Sequence, residues 1–163
     1  MGERIYRVVA VGGTFDHLHA GHEALLSKAF EVGKIVLIGV SSDDFVRRLG
    51  KSVDRPYEER VRGLKAYLDA NFPDRGYEIA PLDDYFGPRM YDEDVEAIVV
   101  SEETAGRVDS VNRVRLDKGL KPLEVIVVGM VLAEDGRPIS STRIRWGEID
   151  REGRLLKGGS DKA

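Results

Sequence analysis

The 163-residue sequence predicts an α/β fold, a doubly wound parallel sheet of five strands in a single domain. Three observations carry this expectation. Short runs rich in Val and Ile, apolar throughout rather than at alternate positions, recur five times, as strands buried on both faces do. Stretches of helical period separate them, and parallel strands need such crossovers. A glycine turn also joins the first run to the first helical stretch, where α/β folds present backbone N–H groups to phosphate.

Ile5 to Val11 is the first strand, and it empties into Gly12-Gly13-Thr14-Phe15-Asp16-His17-Leu18-His19-Ala20-Gly21-His22. His22, Leu25, Leu26 and Ala29 then repeat at helical spacing, so a helix is expected from about Ala20 to Val32, with Gly33 as its stop. Lys34 to Ser41 is a central strand. Ser42 to Pro56 is polar and carries Arg47, Arg48, Lys51 and Arg55; it reads equally as a solvated helix and loop or as a mobile basic flap. Pro56 opens a helix whose stripe is Tyr57, Val61, Leu64 and Leu68, and Asn71-Phe72-Pro73 ends it. Glu78 to Leu82 is a short strand followed by a loop of good turn residues, Asp83 to Pro88. Glu96 to Ser101 is the fourth strand, after which Glu102-Glu103-Thr104 opens a helix, with Thr104 able to cap it. On that helix Asn112 and Arg115, three apart, share a face, while Arg113 and Arg115 do not; Arg115 is therefore expected to face phosphate and Arg113 solvent. Leu123 to Leu132 is the fifth strand, expected to be the longest. Ser140-Ser141-Thr142 then leads Arg143-Ile144-Arg145 into a short helix stopped by Gly147. The domain is expected to span 1–154, with 155–163 a flexible tail.

All three histidines fall within six consecutive positions, 17 to 22. His19 and His22 are three apart, so both rings can lie on one side of a helix N-terminus and act as donors to a phosphate, aided by the helix dipole. The hydroxyls and free N–H groups at Ser140, Ser141 and Thr142, with the charge of Arg145, suit the same ligand from the other end of the chain; a plain serine cap is the simpler reading of that stretch alone.

Composition bounds the function. With 42% hydrophobic and 33% charged residues the chain reads as an ordinary globular protein. No apolar run is long enough for a transmembrane helix, and no signal-peptide layout is seen, so a cytoplasmic protein with no membrane partner is expected. Cysteine is absent, which excludes disulfides, thiolate catalysis and cysteine-based zinc sites. A formal net charge of −4, without a basic tract, argues against a nucleic-acid partner.

Gly13-Thr14-Phe15-Asp16 followed by His19-Ala20-Gly21-His22 resembles the signature of the nucleotidyltransferase superfamily, and Ile139 to Arg145 resembles its C-terminal Ser-Ser-Thr motif. Val100 to Thr104, with Asn112, Arg115, Gly119 and Leu120, is similar to the archaeal and eukaryotic type of phosphopantetheine adenylyltransferase. The resemblance implies a Rossmann-like sheet of order 3-2-1-4-5 and transfer of AMP from ATP to 4′-phosphopantetheine with Mg²⁺. It implies a catalytic set of Thr14, His19, His22 and Lys51. Nucleotide contacts are implied at Gly12, Gly13, Phe15, Gly21, Ser101, Glu102, Glu103, Thr104, Arg115, Ser140, Ser141, Thr142 and Arg145. Asp84 and Gly87 would stand near the acceptor, although they also read as plain turn residues. Asp16 is left between a supporting role at the metal and a brace for the turn; no protein metal ligand is assigned. A superfamily transferase using nicotinamide mononucleotide, flavin mononucleotide or glycerol phosphate, and a non-catalytic nucleotide-binding module, are the alternatives. Oligomeric state is left open.

Overall fold

A computed structural model provides the structure and describes residues 5–156. Five parallel strands form one sheet in the order β3-β2-β1-β4-β5. They are β1 (Tyr6–Gly13), β2 (Gly33–Ser41), β3 (Gly76–Leu82), β4 (Val95–Ser101) and β5 (Glu124–Val128). The helices are α1 (Ala20–Val32), α2 (Asp43–Arg48), α3 (Tyr57–Asn71), α4 (Glu102–Ala105), α5 (Val108–Asp117) and α6 (Ser141–Arg145), with a 3₁₀ turn at Pro88–Tyr91.

The two-residue period of a strand assigns the core. Val9 and Val11 of β1, with Val36, Ile38 and Val40 of β2, pack on one face against Leu26, Ala29 and Phe30 of α1 and Leu64 and Leu68 of α3. Val8 and Ala10 point the other way, toward Met90 of the 3₁₀ turn and Val108 and Val111 of α5. Both faces of the central strand are therefore buried, which is why it reads as a continuous apolar run. A smaller cluster of Ala133, Ile139 and Ile149 carries Ile144 of α6 against Ala20.

Gly33 ends α1 for a reason other than a left-handed turn. Its φ is −107°, and β2 starts at once. An added Cβ would come within 2.7 Å of Val9 Cγ2, so the glycine is what lets the helix end press against β1.

Three expectations are corrected. The fifth strand is the shortest, five residues, because β4 ends at Ser101 and its last pairing is with Val128; the apolar run beyond leaves the sheet, and Leu132 bridges Pro138 instead. The helix after β4 is two helices, broken between Ala105 and Val108. The chain stays attached past Arg154: Leu155 bridges Ile149, and the Leu156 N–H donates to Glu148 O at 2.9 Å. The remainder of the expected tail, 157–163, lies outside the described residues, as do 1–4.

Candidate active site

β1 sits mid-sheet, and the order reverses between β1 and β4, so the crevice expected to take a ligand opens where the Thr14–His19 turn meets Ser101. His19 is the N-cap of α1. Its Nδ1 accepts from Gly21 N at 3.0 Å, and its own N–H donates to Nδ1 of His22 at 3.3 Å, a reciprocal capping box built from two imidazoles. The rings stack with centroids 3.9 Å apart. With both Nδ1 atoms accepting, a neutral ring must carry its proton on Nε2, so each presents an Nε2–H donor. Burial, and secondarily the charge of His17, lower the His19 pKa to about 4; burial, and secondarily His19, lower that of His22 to about 3, against a His17 backbone hydrogen bond that works to raise it. At neutral pH the pair is uncharged and acts through its N–H groups. Gly21 has a specific duty here, since a Cβ on it would sit 2.8 Å from Cε1 of His19.

Of Phe15, only the main chain is left to face the crevice side of the turn; its side chain is buried. The ring packs in the core below β1 and lies 5.0 Å from the His22 ring, while the backbone holds φ at 56°. The ring backs the histidine pair.

The two ends of the chain meet at this turn. Ser141 Oγ donates to His17 O at 3.3 Å, Arg145 Nη1 donates to Asp16 Oδ2 at 3.1 Å, and Ala20 N donates to Arg151 O at 3.2 Å. Ser140 caps α6, accepting from Arg143 N, and Thr142 Oγ1 accepts from Arg145. Arg143 is turned away, bound to Asp135, Glu148 and the carbonyls of Arg137 and Pro138.

Asp16 braces the turn. Only 1% exposed, its carboxylate accepts from the amides of Asp54 and Arg55 as well as from Arg145. Asp16, His17 and Asp54 have ligand-type atoms within 4.8 Å of one another, with His17 Nε2 2.6 Å from Asp54 Oδ2. A hard cation needs oxygens that are free to turn toward it. Those of Asp16 already serve two amides and a guanidinium, and the Arg55 side chain lies alongside. The donor set fits an internal brace better than a cage.

Of the four basic side chains between 47 and 55, three are engaged: Arg47 with Asp44, Arg48 with Asp83 O, and Arg55 with Asp16 O. Of these four, Lys51 is the one whose charged group makes no such bond, and it is exposed. The stretch is not a wholly loose flap, because Asp54 and Arg55 are fastened to Asp16. Beyond β3, Asp84 Oδ1 accepts from Gly87 N at 2.7 Å and from Phe86 N, so it shapes the turn, with Gly87 at φ 74°. That turn lines a cleft of about 720 Å³ together with Tyr85, Pro88, Arg107 and Arg113. Arg107 lies over the Tyr85 ring, 4.3 Å from its centroid. At the end of β4, Ser101 Oγ and Thr104 Oγ1 are 3.4 Å apart, and Glu102 and Glu103 are exposed; Thr104 is inside α4 and caps nothing.

Arg115 is a correction. Its guanidinium is 2% exposed and donates to the carbonyls of Met90, Asp92, Val95 and Lys121, at the N-terminal end of β4. A seven-residue strand at about 3.3 Å per residue puts it roughly 20 Å from the crevice. Asn112 shares that face as expected, and it too serves backbone, exchanging two hydrogen bonds with Leu123. Arg113 is exposed, as expected, and stands at the cleft. Arg60 was missed altogether: it lies three residues after Tyr57 and four before Leu64, inside the apolar stripe of α3, and a charge at such a position was the available signal.

Imidazole donors at one helix start and hydroxyls at another, set at the switch point of a five-stranded parallel sheet, are the equipment of a nucleotide-handling α/β protein. The chain belongs to the cytidylyltransferase-like family, whose model matches residues 10–147, and within it to the phosphopantetheine adenylyltransferases. It is 46% identical over 155 residues to the phosphopantetheine adenylyltransferase of Methanothermobacter thermautotrophicus, with 95% of this chain and 93% of the relative covered. It is 50% identical over 153 residues to that of Methanosarcina barkeri, with 91% and 92% covered. Among solved structures, a protein of unknown function from Archaeoglobus fulgidus superposes with a TM-score of 0.66 at 33% identity, over 74% of this chain and 87% of that one. A pantoate-beta-alanine ligase from Francisella tularensis has a TM-score of 0.54 at 12% identity, over 86% and 68%, a likeness of fold alone.

Proposed function

We propose that the protein transfers the adenylyl group of ATP to 4′-phosphopantetheine, giving 3′-dephospho-coenzyme A and pyrophosphate, a step of coenzyme A biosynthesis. The observation that supports this most is the pair of Nε2–H donors at the start of α1, with the start of α6 tied to the same turn through Ser141 and Arg145, in a chain about half identical to curated enzymes of that name. A phosphate oxygen of the acceptor forms a bond to the α-phosphorus as the bond to the leaving pyrophosphate breaks in line. The acceptor is already ionised, so no general base is required, and catalysis is positioning plus donors at the oxygens that gather charge. His22 and His19 fill that role from the dipole end of α1. Thr14 lies between the two phosphates, Lys51 and Arg145 add charge, and Ser140, Ser141 and Thr142 take the far end of the triphosphate. Gly12, Gly13 and the Ser101–Thr104 segment border the nucleoside. The cleft beside Gly87 has the volume usual for a small-molecule site and suits the pantetheine arm.

A divalent cation such as Mg²⁺, arriving with the triphosphate, would neutralise charge on the leaving group. A cytoplasmic setting fits this reading; among the described residues no helix is long and apolar enough to cross a membrane.

The test is pyrophosphate release from ATP with each acceptor offered separately. Release with 4′-phosphopantetheine alone is expected; release only with nicotinamide mononucleotide, flavin mononucleotide or glycerol phosphate, or with none, overturns the proposal. In the same assay His22→Ala is expected to lower kcat ~100- to 1,000-fold, as removal of an oxyanion donor does.

A further inference from the structure

We propose that Arg60 is a positioning residue for this reaction, a buried fork that clamps the Thr14 turn to the end of β2; the proposal rests on the reading of the site given above. No part of its side chain reaches solvent. Nη1 donates to Thr14 O and to Ser41 O, both at 2.8 Å, Nε to Arg55 O at 3.0 Å, and Nη2 to Asp43 Oδ1 at 2.8 Å. Four segments converge on one guanidinium: the histidine-bearing turn, the last residue of β2, the first turn of α2, and the link into α3 that follows Lys51.

The need for such a fork follows from the ladder. β1 and β2 pair from Tyr6↔Gly33 to Gly13↔Val40, and there the pairing stops. Thr14 O and Ser41 O are the next carbonyls past that end, where parallel strands part to admit a ligand. A planar group with five donors can hold two diverging carbonyls and still bond a third acceptor and a carboxylate. Lysine, a point charge on a flexible stem, cannot reproduce that geometry. Asp43 balances the buried charge. It also accepts twice from Tyr57 N, so the start of α3 is tied to the same carboxylate. Burial works to raise the Asp43 pKa, but the Tyr57 amide and the Arg60 guanidinium outweigh it and hold the carboxyl below its usual value.

Arg115 supplies a matched comparison within the same chain. It is as buried as Arg60 and also grips backbone carbonyls, but at the opposite end of the sheet. Both arginines contribute to stability; only Arg60 holds a residue of the site.

The experiment compares Arg60→Lys with Arg115→Lys by steady-state kinetics and by amide hydrogen exchange. Both variants are expected to melt below the wild type. Arg60→Lys is expected to lower kcat at least about tenfold with KM for ATP within about threefold, since an ångström of misplacement is costly to turnover. Its Phe15–His17 amides should exchange faster than in the wild type. Arg115→Lys is expected to keep kcat within about twofold and leave those amides unchanged. Equal losses of kcat in the two variants, or unchanged exchange at 15–17 in Arg60→Lys, would overturn the proposal. Should Arg60→Lys not fold, Asp43→Asn carries the same readouts: faster exchange at 15–17 with reduced kcat supports the clamp, and neither change overturns it. Wild-type pyrophosphate release tests the function separately, and the exchange comparison stands without it.

Discussion

Substituting His22 by Gln isolates the electrostatic state of the imidazole pair. Gln at the third helical position can still accept from the His19 N–H, so the capping box survives while the titrating group is removed. In the wild-type fold burial holds His22 neutral down to about pH 3 and His19 down to about pH 4, whereas both have an ordinary value of 6.5 in the unfolded chain. A folded pKa below the unfolded one means stability that is complete above pH 6.5 and drains as pH falls toward the folded values, because only the unfolded chain takes up protons in that window. Each imidazole then costs about 1.4 kcal/mol per pH unit, or about 2.5 kcal/mol between pH 6.5 and 4.5. Urea unfolding at pH 7.5 and 4.5 measures this. The acid-induced loss should be smaller in His22→Gln than in the wild type by about 2.5 kcal/mol. An equal loss in both proteins would show that His22 titrates normally in the fold, and the picture of two neutral N–H donors would fail.

Two further outcomes are expected. Gly33→Ala should destabilise by about 1–3 kcal/mol in thermal or urea unfolding, because the new methyl would meet Val9 and the Ala29 carbonyl, neither of which can swing aside. Asp16→Asn should cost about 3 kcal/mol by the same measurement, since it leaves Arg145 and Arg55 beside a neutral amide in a buried site.

Much of this architecture could be read from residues alone. The strands of the central sheet are legible because burial on both faces leaves an unbroken apolar run, as in Val8 to Val11 and Val36 to Val40. The histidine turn was legible because strand, glycine and helix signals abut there. The presence of β5 was legible too, but its length was not, because an apolar run does not say where its pairing partner ends. Val125 and Val127 stay 37% and 49% exposed.

Site residues divide along the same line. Spacing correctly put Asn112 and Arg115 on one helix face, but spacing carries no information about what that face meets, and here it meets carbonyls at the far end of the sheet. Phe15 and Asp16 belong to the motif by sequence, yet in three dimensions one backs His22 and the other fastens Asp54, Arg55 and Arg145. Arg60 and Asp54 act across 46 and 37 residues of chain, distances over which no local pattern operates.

The central claim is that neutral imidazoles at the start of α1 and hydroxyls at the start of α6 enclose one polyphosphate. Nitrogen-15 NMR of the imidazole groups, recorded as Mg²⁺-ATP is titrated at pH 7.5, addresses it most directly. The account predicts His19 and His22 as Nε2–H tautomers in the free protein, with both Nε2 signals and the Ser141 amide shifting together at a single affinity. Nδ1–H tautomers, or saturation by ATP without movement of these signals, would contradict it.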